Sequence, residues 1–377
     1  MSKWKLYKLG EIARFQTGKL NSNAAIEGGK YPFFTCSPTT LHIDNYAFDQ
    51  EAILLAGNNA EGNFSIKYYN GKFNAYQRTY VIEAITEYCE TRYLFYSLKL
   101  YLQHFKYISQ GTSTKFLTAS ILRNIPISLP PLETQKRIAD ILSAIDGKIE
   151  LNRRINANLE QQAQALYKSW FVDFEPWGGV MPEDWREGIA SDFYDITIGK
   201  TPPRKETQWF SNSKKNHVWI SISDMGKNGM FLGQSSEYLT PLAIEKFNIV
   251  IVPDSTVLLS FKLTVGRVSI SDGAVTTNEA IAHFKTKKQD LLEYTYLSLK
   301  NYEFSALGST SSIATAVNSK TIKSMRWIMP NHDLIKQFHE KAGPIFNMIK
   351  QNEKENNNLS TLRDTLLPKL MSGEIKI

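Results

Sequence analysis

The chain has 377 residues, roughly 2.5 times the ~150 residues of a typical domain, so we expect more than one hydrophobic core. Hydrophobic residues make up 42% and charged residues 21% of the sequence, and this balance excludes an intrinsically disordered chain. The net charge of +7 permits a polyanionic partner without requiring one.

The cellular compartment is constrained by what the sequence lacks. Two cysteines, Cys36 and Cys89, are too few for a disulfide framework and suit a reducing compartment. The first residues lack the apolar core of a signal peptide, and no stretch approaches the roughly 20 apolar residues of a membrane span. We therefore expect a cytoplasmic protein that makes no contact with a membrane.

The first 130 residues are rich in Gly, Thr, Ser, aromatic and β-branched residues, which predicts a mixed α/β globular domain. Strands are predicted over residues 52–56 and 79–82, and the dipeptides Gly57-Asn58 and Asn70-Gly71 predict turns. A helix is predicted over residues 91–107.

A long helix is predicted next, over residues 133–170. Apolar residues alternate steps of four and three from Ile138 to Trp170, which is the pattern of a coiled-coil seam. At ~1.5 Å per residue such a helix is roughly 55 Å long. Pro130 ends the preceding strand and Pro176 limits the helix.

The remainder of the chain repeats this organisation, so we infer a tandem duplication. Residues 185–200 match residues 4–19 at an offset of 181, and from Leu117 the offset settles at 200 for about fifty residues. The second copy predicts a strand over residues 249–252, a helix over residues 291–307 and a second long helix from Phe338 to Leu370. Pro330 precedes this helix, Pro368 limits it, and Pro344 predicts a kink or a break.

Four asparagines occupy seam positions where apolar residues would stabilise more: Asn152, Asn156, Asn352 and Asn356. One interpretation is that the helices splay there and expose the amides. In the other, antiparallel helices bring the asparagines together near their midpoints, where hydrogen bonds between the amides fix the register. The apolar residues expected in the same helix pairing are Ile145, Leu159, Ile345 and Leu359.

Motifs for catalysis are missing from the sequence. Gly199-Lys200-Thr201 resembles the end of a phosphate-binding loop, but Tyr194 occupies the position of its first glycine. An adenine methyltransferase would need an Asn- or Asp-Pro-Pro-aromatic motif, which this sequence lacks. The six histidines do not have the spacing of metal ligands. We expect no catalytic residue, no metal site and no cofactor in this chain.

The basic excess lies on the globular segments. Residues 1–130 carry a net charge of +5 and residues 177–330 carry +2, whereas the helical segments 131–176 and 331–377 carry −1 and +1. Basic side chains alternate there with amides, hydroxyls and aromatic rings, which suits DNA, although each cluster could be a solvated loop. The polar segments 111–115 and 308–312 could contact phosphate or cap the following element.

The whole chain resembles the specificity subunit of type I restriction-modification systems. The resemblance is most specific in three segments: Leu129-Pro130-Pro131-Leu132-Glu133 at the start of the first helix, residues 165–174 at its end, and residues 366–375. Residues 4–12 also resemble the usual opening of a recognition domain. The second copy departs from the family pattern at Asn331-His332-Asp333-Leu334, where Pro-Leu-x-Glu-Gln is usual.

The resemblance implies an α+β fold with a target-recognition domain over 1–130, a long helix over 131–176, a second target-recognition domain over 177–330 and a second long helix over 331–377. The two helices would pair as an antiparallel coiled coil. Each domain would read one half of a bipartite double-stranded DNA site, and the helices would set the spacing and dock two methylation subunits. S-adenosylmethionine would bind to those methylation subunits, and translocase-nuclease restriction subunits would join for cleavage.

Candidate DNA contacts are basic or amide residues of the two domains: Lys19, Asn58, Arg78 and Lys115 in the first, and Lys200, Arg204, Lys262, Arg267 and Asn278 in the second. Asn58 could instead be a turn residue and Arg78 a strand-end charge.

The alternative function is a coiled-coil scaffold whose globular domains bind proteins. A self-sufficient nuclease or methyltransferase is a third hypothesis, which requires turnover by the purified chain alone. An affinity for duplex DNA that falls steeply as the salt concentration rises would distinguish the recognition subunit from the scaffold.

Overall fold

The computed structural model describes residues 4–227, 229–307 and 317–377. Contacts group the chain into two compact units, Met1–Ile149 with Asn357–Ile377, and Glu150–Asn356. The sequence-based division instead separated each globular domain from its helix. Contacts join them because parts of both long helices bury apolar side chains in the core of each unit. The segment 308–312 lies outside the described residues.

The first unit alternates strands and short helices before the first long helix. Its strands are β1 (Lys5–Lys8), β2 (Ala13–Thr17), β3 (Tyr31–Phe34), β4 (Leu41–Ile43), β5 (Phe48–Ala56), β6 (Asn58–Asn59), β7 (Ile66–Ala75), β8 (Thr79–Ala84), β9 (Lys115–Phe116) and β10 (Pro126–Leu129). Its helices are α1 (Leu9–Ile12), α2 (Thr91–Ile108) and α3 (Ala119–Arg123), with a 3₁₀ turn at Ser22–Ala24. The long helix α4 (Leu132–Phe171) begins in this unit and ends in the second.

The main sheet of the first unit has the strand order β2-β8-β5-β7-β3-β4. Its pairs are antiparallel except β3 with β7. Both faces of β5 are buried: Ile53 and Leu55 pack with α2, α4 and the end of the second long helix, whereas Ala52 and Leu54 pack with Phe73 on the other face. This is the period-two alternation of a strand with an apolar layer on each side.

A ribbon of β1 and β10 joins the two ends of the first domain and leads into α4. The ribbon is antiparallel, with Lys5 opposite Leu129. Gln135, in the first turn of α4, is buried and its amide donates to the carbonyls of Tyr88 (3.1 Å) and Pro130 (2.9 Å). Its oxygen accepts the N–H of Glu90 (3.0 Å), so this one side chain fixes the helix to the domain.

The second unit has more and shorter strands. They are β11 (Arg186–Ile189), β12 (Asp195–Ile198), β13 (Phe210–Ser211), β14 (His217–Ile220), β15 (Phe231–Leu232), β16 (Tyr238–Leu239), β17 (Val257–Ser260), β18 (Val268–Ser271), β19 (Thr276–Thr277), β20 (Ile281–Lys285) and β21 (Arg326–Met329). The helices are α5 (Ala190–Phe193), α6 (Ile222–Lys227), α7 (Pro241–Phe247), α8 (Leu292–Lys300), α9 (Ser319–Lys323) and the long α10 (His332–Ser372). Turns of 3₁₀ helix lie at Glu175–Trp177, Thr207–Trp209, Gln289–Leu291 and Phe304–Leu307.

The sheets of the second unit preserve the plan of the first. One has the order β12-β20-β17-β18-β15, and another has the order β13-β16-β14-β19. The strands β12, β20 and β17 correspond to β2, β8 and β5 in pairing and direction. The core includes Tyr167 and Phe171 of α4 and Phe338 and Phe346 of α10, so both long helices pack on this domain.

Several predicted elements differ from the structure. Residues 249–252 are not a strand, because Ile249 N bonds to Ile244 O (3.0 Å) at the end of α7 and Val252 makes an isolated bridge to Val275. The predicted turn Asn70-Gly71 lies inside β7, where Gly71 has a φ of 132° that favours glycine. The helix predicted over 291–307 is interrupted after Lys300, where the N–H of Asn301 caps it on Leu297 O (3.0 Å).

The second long helix continues through both prolines. The prediction that Pro368 limits the helix is wrong, because α10 extends to Ser372, and Pro344 causes no break. A proline removes one backbone hydrogen bond, and tertiary packing compensates for that loss here. Ala342 and Phe346 beside Pro344, and Leu367 and Leu370 beside Pro368, are buried in the cores. Within the described part of the chain, no helix is both long and apolar enough to cross a membrane.

Candidate nucleic-acid interface

The predicted DNA contacts of the first domain lie at one edge of its main sheet. Because β8 pairs antiparallel with both β2 and β5, the end of β2, the start of β8 and the end of β5 share that edge. Lys19 follows β2, Arg78 precedes β8 and Asn58 follows β5. Lys19 and Arg78 are exposed, and Asn58 is half-buried.

Backbone contacts hold these segments together. The N–H of Gly57 donates to Arg78 O (2.8 Å), and the N–H of Gln77 donates to Leu20 O (2.9 Å). A Cβ on Gly18 would overlap the carbonyl oxygen of Ala75, so only glycine permits this approach before Lys19.

Lys115 joins the same edge through the pairing of β6 with β9. Asn58 lies opposite Phe116 and Asn59 opposite Lys115, while Leu117 N donates to Gly57 O (2.9 Å). The loop 111–114 is not the cap of the following helix, because Thr118 accepts the N–H of Ile121 (3.2 Å) at the start of α3. We call Lys19, Asn58, Arg78 and Lys115 the first edge.

The second domain has an equivalent edge built from the corresponding strands. Lys200 follows β12, Lys262 follows β17 and Asn278 precedes β20. The register brings them together, since Ser260 lies opposite Ile281 and Lys200 N donates to Thr277 O (3.0 Å). A Cβ on Gly199 would overlap Thr277 and the carbonyl oxygen of Asn278, which repeats the role of Gly18. We call Lys200, Lys262 and Asn278 the second edge.

Several predicted cations of the second domain have partners within the domain. The ammonium of Lys200 donates to the carbonyls of Phe247 and Asn248 (both 3.0 Å) at the C-terminal end of α7. Such a cation satisfies terminal carbonyls and favours the helix dipole. Asn278 Oδ1 accepts the N–H of Ala280 (3.1 Å), which is the bond of a turn residue.

The two arginines of this domain are also engaged. Arg204 donates twice to Glu237 (2.8 and 3.0 Å) and its guanidinium carbon lies 4.4 Å from the ring centroid of Trp219. Arg267 donates to Ile222 O (2.7 Å) at the start of α6. The sequence carried no sign of these partners, which lie 33 and 45 positions away and become neighbours only through the fold.

Beneath the second edge, His283 bridges two threonines. Its Nδ1 lies 2.9 Å from Thr197 Oγ1 and its Nε2 lies 2.7 Å from Thr277 Oγ1, beside Asn278. Burial lowers the pKa of His283 to about 3, with a smaller contribution from Lys285. The imidazole is therefore neutral near pH 7 and links β12, β20 and the segment that carries Asn278.

The long helices run antiparallel within the second unit, where the seam asparagines meet. Asn152 Nδ2 donates to Asn356 Oδ1 (3.0 Å) and to Glu355 (2.7 Å), and Asn352 Nδ2 donates to Asn156 Oδ1 (2.8 Å). Asn152 is fully buried, and its Oδ1 has no hydrogen-bond partner among the described residues. A seam of this kind stabilises less than an apolar one and favours one register.

The predicted apolar residues of the seam are half-buried: Ile145, Leu159, Ile345 and Leu359. Leu159 and Ile345 pack against the core of the second unit. In the first unit, Arg363 of α10 donates to Asp146 of α4 (2.7 Å), and Tyr96 of α2 donates to the same carboxylate (2.8 Å).

Residues that the sequence analysis missed attach the second domain to α10. The carboxylate of Glu353 accepts the N–H groups of Met230 (2.7 Å) and Phe231 (2.9 Å), and Lys350 pairs with Asp272 (2.8 Å). Burial raises the pKa of Glu353, while these N–H groups lower it. The heptad pattern assigned 350–353 to the helix but gave no signal of a contact with a strand more than 100 residues earlier.

A second missed feature is the turn between β17 and β18. Leu263 at its tip has a φ of 62° and is 93% exposed. A short polar stretch with Gly266 between two strands indicates a turn, but the backbone of Leu263 is visible only in the structure. In the described ranges, no group of three or more His, Cys, Asp or Glu residues is placed to hold a metal ion.

The chain matches the family model described as the type I restriction modification DNA specificity domain. The match comprises residues 1–161 and residues 182–359, so the model fits each copy of the duplication.

Two curated relatives agree with the family match. The chain is 28% identical over 345 residues to the "Type I restriction enzyme HindI specificity subunit" of Haemophilus influenzae, with 72% of this chain and 74% of the relative covered. It is 38% identical over 185 residues to the "Type I restriction enzyme EcoDI specificity subunit" of Escherichia coli, covering 48% of this chain and 40% of that protein.

The fold is similar to the crystal structure of a type I restriction-modification system S subunit from M. genitalium, at a TM-score of 0.60 and 14% identity. That likeness covers 98% of this chain and 96% of the other. Together with the duplicated domain and paired helices, the family match shows that the chain belongs to the type I restriction-modification DNA specificity family and is a specificity subunit of such a system.

Proposed function

We propose that each recognition domain reads one half of a bipartite duplex DNA site through its strand-end edge. The observation that supports this proposal is that equivalent strands present polar and basic residues at the first edge and at the second edge. Cations neutralise phosphates, and amide groups bond to base edges in the major groove. Loops at strand ends generally tolerate sequence change without altering the sheet, so they suit a variable recognition function.

The long helices set the spacing between the half-sites. In support, α4 has 40 residues without interruption and contributes to both units, as does α10 with 41. The asparagine pairs disfavour slippage of one helix along the other.

Two methylation subunits dock on the helical region, and translocase-nuclease restriction subunits join that complex. Exposed apolar side chains along the long helices support a protein partner there: Ile141, Leu151, Met348 and Leu362. We assign S-adenosylmethionine and the methyl transfer to the methylation subunits. This chain supplies DNA recognition and catalyses no reaction.

Methylation-site sequencing tests the proposal. We expect DNA from cells that express the chain with the methylation subunit of its own system to carry methylated adenines in a two-part sequence with a fixed gap. Binding of the assembled complex to that duplex should fall steeply with salt. Absence of both methylation and duplex binding would favour the protein-binding scaffold.

The spacing role has a separate test. Seven residues inserted after Ile149 and seven after Asn356 fall at the boundaries of the compact units and lengthen both helices by about 10 Å. The gap in the methylated sequence should grow by up to about three base pairs, at 3.4 Å each, with both half-sites unchanged. An unchanged gap with full methylation contradicts the role of the helices in spacing.

A further inference from the structure

The turn between β17 and β18 exposes a leucine in an unfavourable backbone conformation. Leu263 has a φ of 62°, and Thr264 N donates to Lys262 O (2.7 Å) across it, which makes a γ-turn with positive φ. This turn is rare and strained, and glycine or asparagine is the usual residue at such a φ. Leu263 is also 93% exposed, so its side chain contributes little to the folded core.

The turn is held rigidly from below. Ser260 is fully buried; its hydroxyl donates to Thr264 O (2.6 Å) and accepts the N–H of Arg267 (3.0 Å). Gly266 N donates to Ser260 O (3.0 Å), and the Arg267 side chain bonds to Ile222 O (2.7 Å). These bonds fix both sides of the turn, so Leu263 projects from an ordered support.

The turn lies at the second edge. Phe261 N donates to Ala280 O (2.9 Å), and Ala280 N in turn bonds to Asn278 Oδ1 (3.1 Å). Lys262, a residue of the second edge, is the immediate neighbour of Leu263. An apolar tip beside a lysine and an amide suits a partner with both phosphates and apolar stacked faces.

We propose that Leu263 is an apolar wedge that inserts between stacked bases of the half-site read by the second domain. The inference rests on the proposed function, and it identifies duplex DNA as the partner that this tip contacts. Proteins that deform DNA insert leucine side chains between base steps and unstack them. The deformation adds selectivity for flexible steps without a hydrogen bond to a base.

The test uses the complex of the full chain with its methylation subunit. The probes are cognate duplexes with 2-aminopurine at successive positions of the second half-site, excluding the methylated adenine, whose own flipping would also brighten the probe. With the unaltered complex, we expect fluorescence to rise at one base step. Leu263→Gly should abolish that rise and weaken cognate binding about tenfold, while thermal stability stays the same or increases because the strain is removed. Leu263→Met should retain the rise.

Leu242→Ala is the matched control, since Leu242 is an exposed leucine of the same domain in the first turn of α7. It should leave fluorescence and affinity unchanged. Unchanged fluorescence and affinity with Leu263→Gly overturns the wedge while leaving the proposed function intact. Loss of the methylation subunit with Leu263→Gly, at an unchanged 2-aminopurine signal, overturns it in favour of a protein contact. If the unaltered complex binds no duplex, the proposed function itself fails.

Discussion

The first edge and the second edge are each built from three equivalent strands, but the charged residues of the two domains make different contacts. In the first domain, Lys19 and Arg78 are exposed beside the strand ends. In the second domain, Lys200 and Arg204 bind to a helix terminus and to Glu237. The net charge is also higher in the first domain segment (+5) than in the second (+2).

A basic residue at equivalent positions of the two domains therefore has no fixed role. Lys19 and Lys200 occupy matching places after the first strand of each sheet, yet Lys200 secures α7. We therefore expect the first domain to contribute more phosphate contacts, and hence more of the salt dependence of DNA binding. DNA binding by the second domain should depend more on the rigid shape of its surface.

Near neutral pH, the greatest loss of stability is expected from a change to the feature that both edges share. Gly18→Ala and Gly199→Ala place a Cβ against backbone of the neighbouring strand segment, so each should lower the free energy of unfolding by about 3 kcal/mol. Thermal or urea unfolding of the full chain measures this. Gly147→Ala is the control, because its Cβ meets no atom within 4 Å and helix propensity predicts a gain of up to about 1 kcal/mol. Equal effects of all three variants would refute a shared construction.

Two arginine variants should distinguish the first domain from the second. Arg78→Ala should weaken DNA binding by roughly 1–3 kcal/mol and reduce the salt slope by about one, with stability unchanged. Arg204→Ala should instead reduce stability by about 1 kcal/mol through its lost carboxylate and ring contacts, which are partly screened by solvent, and leave the salt slope unchanged. Salt titrations of binding and unfolding curves measure both; the reverse pattern would contradict the comparison.

Acid should weaken the second domain through His283. Its pKa is about 3 in the folded chain, because of burial and then Lys285, against an ordinary 6.5, so the unfolded chain takes up the proton first. The stability from neutral His283 is complete above pH 6.5 and falls as pH drops toward 3, by up to about 1.4 kcal/mol per pH unit. His283→Gln should flatten the profile of unfolding temperature against pH in this range. An equally steep profile would assign the acid sensitivity elsewhere.

The smallest effect concerns the helix pairing. Replacing both Asn152 and Asn356 by Leu should raise the free energy of unfolding by about 1 kcal/mol, because it removes a buried acceptor without a partner among the described residues. Spin labels on α4 and α10 should then show a broader distance distribution, since the register is less specific. A loss of stability with an unchanged distribution would contradict this role.

The sequence predicted the duplication and both long helices well, because a repeated segment and a heptad pattern are visible along the chain without any knowledge of tertiary contacts. It failed where tertiary packing overrode a local signal. Pro368 did not end α10 because Leu367 and Leu370 are buried beside it, and residues 249–252 formed no strand despite four β-branched residues. Asn70-Gly71 became part of β7 because pairing with β5 outweighed its turn preference.

The sequence alone indicated the family, by resemblance, and predicted the duplication and the helical seam with its asparagines, since motifs and repeats are visible along one chain. Three features became visible only in the folded chain: the internal partners of the cations, the contact by which Glu353 fixes a strand to α10, and the strained turn from which Leu263 projects. The physical reason is the same in each case. Hydrogen-bond partners and backbone angles depend on residues that folding brings together. Because these residues are far apart in the sequence, their contacts cannot be predicted from their positions along the chain.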